Sequence, residues 1–591
     1  MPRPKRPSRS RRHAGVLPER PGPPRAVAGL VVKRGRHLEI DPLFQPGLPL
    51  LPAREGVKPR AGDLVLFVHS HGRRARVTRV IGSKGRLEDV LEALLLDTLG
   101  WRGFEAPVLA EAADAARLER RPDPERVDLR DLFTFTVDPA TARDFDDALS
   151  FRATERGTLV YVHIADVSYY VPEGSEVDRE ALRRGTSVYV PTSVEPMLPP
   201  VLSAGVCSLR PGEERKTVTV EMELDPEARV LGARFYRSLI RSDERLDYDQ
   251  LEAVFQGKLR ASETLAGALA LGRPLAQRLR RNRYARGSLR VESTEPDFHW
   301  DAAGQVVGAH PAEELESHGF IEEYMILANQ QVAGFLEREG VPTVYRVHDQ
   351  PDPFNVDRLL DLLAGLDVPT PAFDPIYAAP SDVRRAMAEV ADIIDGLVLK
   401  GRGKAALTQQ VLRAQSRAVY QTHNIGHFGL ALGTYCHFTS PIRRYPDLLV
   451  HRSLLARLGL GPRPTTSTLA EWAEHCSRAE REAARVELKS DDIALAYLLK
   501  RRLDEEGWAT VFEAEIMGFV RGGAFVLFDR LHEGFLSARE LPGDYYELND
   551  LESALVGRRT GAAFRLADLI RVRVLAIDEV RGRVDVTPAD L

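Results

Sequence analysis

An α+β multidomain protein, with a large mixed α/β domain flanked by small β-barrel domains of the OB type, is what this sequence predicts. Three observations predict it. A length of 591 residues is expected to hold roughly three to four domains. A stretch from about residue 127 to 505 mixes β-rich runs with helix-period runs and has no obvious linker. The last 85 or so residues alternate apolar and polar positions between glycine-marked turns, an all-β pattern.

The elements follow in chain order. Residues 1–30 read as a basic tail. Its first 25 residues hold eight Lys/Arg and one Glu among many prolines, too little apolar surface to order by burial. It is expected to hold phosphates loosely or to contribute little. Residues 31–126 read as a small N-terminal domain. Asp63–Val68 and Ala75–Val80 are expected strands around a His-Gly turn, and Leu87–Leu99 an amphipathic helix ended by Gly100. A cold-shock or OB-like barrel is favoured there over a winged helix.

Within 127–505, strands are expected at Leu159–Val167, Thr217–Leu224 and Val230–Ser242. Helices are expected at Leu315–Glu339, Val450–Leu458 and Leu469–Leu503. Residues 506–591 carry expected strands at Thr510–Met517, Gly523–Phe528, Leu569–Ile577 and Arg583–Thr587, with Gly518, Gly522 and Gly523 at turns. Phe519, Phe525, Phe535, Tyr545 and Tyr546 lie among Arg521, Arg530 and Arg539. OB barrels hold single strands by stacking bases on aromatic rings, with cations on the backbone. At least two of these rings are expected to be core instead.

Composition narrows the class. Hydrophobic residues make up 43% and charged residues 28%, as in soluble globular proteins. No apolar run is long enough to span a bilayer, and no signal-peptide core opens the chain. No membrane partner is therefore expected. Cys207, Cys436 and Cys476 are too far apart for a C-x-x-C zinc site. They read as small buried hydrophobes in a reducing, cytoplasmic setting. A monomer is expected.

The most informative segment is Asp138-Pro139-Ala140-Thr141-Ala142-Arg143-Asp144-Phe145-Asp146-Asp147, directly after the strand-like Leu132–Val137. Four carboxylates this close repel one another, and their pKa values must rise unless a cation cancels the charge. Oxygen-only ligands suit Mg²⁺, with Mn²⁺ as the alternative. Such ions assist in-line displacement at phosphate. A solvated acidic turn is the plain alternative, and spacing alone does not separate the two. An EF-hand loop fails, because the glycine and terminal glutamate are absent at the required offsets. Some 300 residues later comes His437-Phe438-Thr439-Ser440-Pro441-Ile442-Arg443-Arg444-Tyr445-Pro446-Asp447. Adjacent arginines on a proline-fixed backbone point to different sides. One beside a phosphodiester could neutralise developing charge; surface salt bridges are the alternative.

These two segments, with His163–Val171 and the run from Met197-Leu198-Pro199 to Cys207-Ser208-Leu209, resemble the RNB catalytic domain of the ribonuclease II / ribonuclease R superfamily. The resemblance covers about 127–505, and the C-terminal barrel resembles the S1 domain that follows it in that family. It implies a processive, hydrolytic 3′-to-5′ exoribonuclease that degrades single-stranded RNA to nucleoside 5′-monophosphates. By motif it implies a metal site of Asp138, Asp144, Asp146 and Asp147, with Asp146 and Arg443 catalytic. Tyr189 corresponds to an aromatic stacking near the RNA 3′ end. Tyr248 and Glu322 correspond to positions that distinguish RNA from DNA, and Arg444 is counted with the RNA-binding residues. Without the resemblance, Tyr189 and Tyr248 would read as core tyrosines and Glu322 as a solvated helix face.

Two departures are visible. Val291 stands where a phenylalanine clamps the bases in ribonuclease II, which leaves final product length open. About 100 residues precede the catalytic segment, too few for two cold-shock barrels beside a tail. The chain also ends at Thr587-Pro588-Ala589-Asp590-Leu591, without a lysine-rich tail, which leaves the unwinding of structured RNA open. Competing classes are a catalytically inactive RNA-binding protein on the same fold, an endoribonuclease and a calcium-stabilised structural module.

Overall fold

Alternating apolar residues at the N-terminal end build a small five-stranded sheet. The structure, a computed structural model, describes residues 26–289, 295–301, 305–397 and 402–589; residues 1–25 of the expected tail and Val291 lie outside them. Strands Val27–Arg34, His37–Pro42, Leu51–Pro52, Asp63–His69 and Arg74–Ser83 are ordered second, first, fourth, fifth, third. A bridge between Ile40 and Leu50 brings the second strand's end to the third. Val27, Val31, Ile40, Val65, Phe67 and Val77 fill the interior. The first strand begins inside the stretch expected as a tail. Its apolar run gains stability by pairing Val27–Leu30 with Leu64–Phe67, a partner that local composition does not reveal. Helix Leu87–Leu99 ends as expected at Gly100, whose φ of 74° is the left-handed C-cap.

The central domain is built on a seven-stranded sheet. Its order is Glu244–Asp247, Phe135–Asp138, Asp147–Thr154, Gly157–Ala165, Glu214–Leu224, Val230–Arg241 and Val127–Asp128. Helices Glu263–Ala285 and Glu316–Arg338 cover one face, where Phe151, Val162, Val220, Phe320 and Tyr324 share a core. Helix Tyr445–Arg457 and the first part of helix Thr466–Glu506 close a second core around Phe145, Tyr170, Leu198 and Tyr445.

Helix Thr466–Glu506, 41 residues and so roughly 60 Å long, ties the units together. Ala483, Val486 and Ile493 pack on the N-terminal unit, and Leu499 and Leu503 enter the C-terminal core. That unit is a closed barrel of Val511–Val520, Gly523–Phe528, His532–Ser537, Arg583–Pro588 and Leu569–Asp578. It has the same strand order as the N-terminal sheet, that of an OB barrel. Strand His532–Ser537 was not expected, because Gly534 interrupts its apolar alternation. A side sheet, Tyr546–Leu548, Ala554–Gly557 and Ala563–Arg565, was also not foreseen. Of the five aromatic residues singled out there, Tyr546 is core and Phe519 packs at its margin. Phe525 and Phe535 pair across neighbouring strands, ring centroids 5.5 Å apart, and are half-buried. The three cysteines are free and buried. Among the described residues no helix is long and apolar enough to cross a membrane.

Candidate active site

The aspartate segment is a strand, a tight loop and a second strand. Strand Phe135–Asp138 carries Asp138 to the sheet's end, in register with Asp247. After Pro139 the chain turns, with the Ala142 N–H donating to the Pro139 carbonyl at 3.0 Å. Arg245 steadies the turn by donating to the carbonyls of Pro139 and Ala140, at 3.0 and 3.1 Å. Phe145 anchors the loop: its ring is buried, its N–H donates to Ser208 Oγ at 3.1 Å, and its carbonyl accepts from the Leu209 N–H at 3.0 Å. Asp144 and Asp146 flank this anchor, and Asp147 opens the next strand.

All four carboxyls are pushed above the ordinary carboxylate range, first by burial in each case. For Asp138 the neighbouring Asp147 charge adds to the rise, while Arg245 opposes it. For Asp146 and Asp147 the Arg443 guanidinium is the chief opposing influence. For Asp144 it is backbone N–H groups. Asp138 Oδ2 and Asp146 Oδ2 are buried without a hydrogen-bond partner, which costs about 1–3 kcal/mol or more per group. Among the described residues no three His, Cys, Asp or Glu side chains converge closely enough to enclose an ion. The four aspartates expected to hold the metal act on one another through space, Asp144 and Asp147 raising the pKa values of both Asp138 and Asp146. What is assembled is a pair of unsatisfied carboxylates inside a like-charged group. That donor set fits a hard cation such as Mg²⁺, which is commonly held by one or two carboxylates with waters and substrate phosphates completing its shell.

The arginine segment closes over this group. The Ile442 N–H donates to Asp146 Oδ1 at 2.8 Å, and Arg443 Nε stands 3.7 Å from Asp146 Oδ2. The Arg443 backbone is clamped: its carbonyl accepts from the Ser187 N–H at 2.9 Å and from Thr186 Oγ1 at 3.1 Å. Gly185, at φ 71°, ends the helix before these residues, and its carbonyl accepts the Tyr445 N–H at 3.0 Å. An added Cβ there would lie 2.6 Å from that of Ala479, so glycine permits this close approach. Arg443 itself stays 44% exposed and reaches Ser440 Oγ at 3.1 Å, free to meet a ligand.

Arg444 turns the other way. It pairs with Asp447 at 2.8 Å, whose side chain is fully buried, so its contacts hold the loop. Tyr189, half-exposed on strand Val188–Val190, donates weakly to Asp144 Oδ2 at 3.4 Å. Its hydroxyl pKa is raised by burial and by the Asp144 charge. Tyr248 opens a helix capped by Asp247. Burial, then the charges of Asp147 and Asp138, raise its pKa, which places it beside the carboxylates. Its ring lies 4.2 Å from that of His318, one helical turn before Glu322. Glu322 is exposed, with Arg283 at 3.5 Å.

Several contributors carried no sequence signal. The Ile442 N–H acts through backbone. His318 and Glu487, which accepts the Tyr189 N–H at 2.9 Å, are solvent-face residues by helical period. The support by Arg245 becomes visible only once its strand lies parallel to Phe135–Asp138.

The chain is similar to known proteins in sequence and in fold. The RNB domain family matches residues 126–459, more than half of the chain. Ribonuclease R of Aquifex aeolicus is 40% identical over 469 residues, covering 78% of this chain and 64% of that protein. This chain thus spans just under two thirds of that relative. The apo form of Mycoplasma genitalium RNase R superposes with a TM-score of 0.85 at 26% identity, covering 96% of this chain and 90% of that one. The same enzyme in complex with ribose methylated single-stranded RNA gives 0.84 at 25% identity, with the same coverages. With two distant segments meeting at one buried carboxylate and an RNB match spanning both, this chain belongs to the RNB domain family.

Proposed function

We propose that this chain is a hydrolytic 3′-to-5′ exoribonuclease that removes nucleoside 5′-monophosphates from single-stranded RNA, in a processive manner. The observation that carries this reading is the meeting of Asp146 with Ile442 and Arg443, 296 residues away in sequence, within a group of four aspartates. Asp138 and Asp146, with Asp144 and Asp147 adjoining, would hold Mg²⁺ or Mn²⁺. When bound, that ion would polarise the scissile phosphodiester and make a water more acidic. Asp146, fixed by the Ile442 N–H, orients the attacking water. Arg443, held in place through its backbone, neutralises charge that develops on the phosphate.

Tyr189 offers a ring beside Asp144 on which a terminal base can stack. Tyr248 and Glu322, on either side of His318, supply polar groups where a 2′-hydroxyl could be sensed. The single strand held by the Mycoplasma relative supports an RNA ligand. The two OB-type barrels, with Phe525 and Phe535 on the outside of one, suit a sequence-tolerant grip.

The test is incubation of the full chain with a 5′-labelled oligoribonucleotide, with Mg²⁺, with Mn²⁺ or with EDTA. A ladder that shortens from the 3′ end, releasing mononucleotides only with the cation, is the expected result. No cleavage with either cation would leave an inactive RNA-binding protein. Internal fragments at the earliest times would indicate an endonuclease.

A further inference from the structure

Behind the aspartate loop lies a second feature that the proposed reaction does not use. Asp144 faces Tyr189, whereas its neighbours Arg143 and Phe145 line a separate recess of ≈ 360 Å³. Arg210 and Arg245 complete its polar wall. Arg245 is held over the Phe145 ring, 5.0 Å from its centroid, and donates to the Pro139 and Ala140 carbonyls. Its Nε is buried without a partner. Arg210 is tethered at one nitrogen to the Ala204 carbonyl. Glu213, the one carboxylate in the lining, is turned to Arg215 instead. Among the described residues none of the three arginines of the recess makes an ion pair with a carboxylate.

Three guanidinium groups around one recess repel one another, and the carboxylates near them, Glu213 in the lining and Asp138 beyond Arg245, offset that charge only through space. Two are pre-positioned by backbone carbonyls, so little side-chain entropy remains to be lost on binding. Planar guanidinium groups match the oxygens of a phosphate bidentately, and the volume is at the small end of ligand pockets, which run from about 300 Å³. The recess is also coupled to the carboxylates. Arg245 acts electrostatically on Asp138, and Ser208 Oγ joins the Arg143 carbonyl to the Phe145 N–H, at 2.8 and 3.1 Å.

We propose that this recess is a binding site for a phosphate monoester dianion, occupied by the 5′-phosphate of the nucleoside monophosphate that each cleavage releases. The identity of the occupant rests on the exonuclease reading; the anion site rests only on the arginines. Phosphate held there sits one loop away from the carboxylates, and binding slows the next turnover by keeping product near the site.

The experiment uses the full chain in EDTA, so that cation-dependent binding at the aspartates does not contribute. Uridine monophosphate, uridine and inorganic phosphate are titrated calorimetrically into the wild-type protein and into Arg143→Ala/Arg210→Ala. The expected result is that uridine monophosphate and phosphate bind the wild type, uridine does not, and the double variant binds both anions at least about tenfold more weakly. With cation present, added uridine monophosphate should inhibit wild-type cleavage of a short oligonucleotide, and the double variant should escape that inhibition while keeping its uninhibited rate. Arg210→Lys, which keeps the charge, should bind between the two; an unchanged melting temperature confirms that the variants fold. Undiminished anion binding in the double variant, or none in the wild type, overturns the site. Phosphate binding without nucleotide binding overturns its assignment to product. Anion binding in a protein that cleaves no RNA would remove the exonuclease reading and leave the anion site standing.

Discussion

Replacing Asp146 by Asn tests the centre of the site, because it alters charge with almost no change of shape. In the protein Asp146 Oδ1 accepts from the Ile442 N–H at 2.8 Å, and Oδ2 lies 3.7 Å from Arg443 Nε with no hydrogen bond. The amide oxygen of Asn can keep the Ile442 contact, which turns its NH₂ toward Arg443. The lost attraction is at most about 4 kcal/mol for unit charges near 4 Å at an effective dielectric of 20, and less because Arg443 is partly exposed.

Loss of an oriented base or charge at the reacting centre is expected to slow cleavage by about 10²–10⁴-fold. Stability should move the other way. A buried Asp whose folded pKa is raised is ionised in the unfolded chain at pH 7, so keeping it charged in the fold is unfavourable; neutral Asn removes that cost. The assays are single-turnover cleavage of labelled RNA and thermal unfolding with EDTA or Mg²⁺. Asp146→Asn should melt no lower than the wild type in EDTA, lose most of the cation-induced rise, and retain RNA binding. Cleavage within about threefold of wild type, a change under 1 kcal/mol, would refute the catalytic role. A marked loss of stability in EDTA would show that the carboxylate is structural.

The adjacent arginines should separate by what they hold. Arg444→Ala strands the buried Asp447 carboxylate and should cost about 3–5 kcal/mol of stability in denaturant titration, whereas Arg443→Lys should leave stability nearly unchanged and lower the cleavage rate about 10²–10³-fold. His163, buried between Ser150 and Thr219, has its pKa lowered by burial to about 3. Its folded pKa lies below its ordinary 6.5, so the stability it supports is present above about pH 6.5 and lost as pH falls toward 3, by up to about 1.4 kcal/mol per pH unit. The urea midpoint of His163→Gln should therefore fall less steeply between pH 6.5 and 4.5 than that of the wild type. Phe525→Ala/Phe535→Ala should weaken RNA binding by about 1–3 kcal/mol per stacked base in fluorescence anisotropy and leave the salt slope intact, since no phosphate contact is removed.

The clustering of the four aspartates was legible in the sequence because its geometry is local. An aspartate at a strand end, a proline and three more aspartates within ten residues cannot separate far, whatever surrounds them. Helix Leu87–Leu99 and the core of Thr466–Glu506 were legible for the same reason, their periodicity and end signals being contained in the segments themselves. Tertiary structure decided what depends on partners remote in the chain. Strand Val27–Arg34 forms because Asp63–His69 lies beside it. The Ile442 N–H reaches Asp146, and Arg444 turns inward to Asp447, because the Gly185–Ser187 segment clamps the loop between them. Which carboxylate oxygens are buried without a hydrogen-bond partner, Asp138 Oδ2 and Asp146 Oδ2, was decided there as well. The recess of Arg143, Arg210 and Arg245 draws on three segments remote from one another in the chain. Charge and burial act through space, and only the folded chain sets which groups share it.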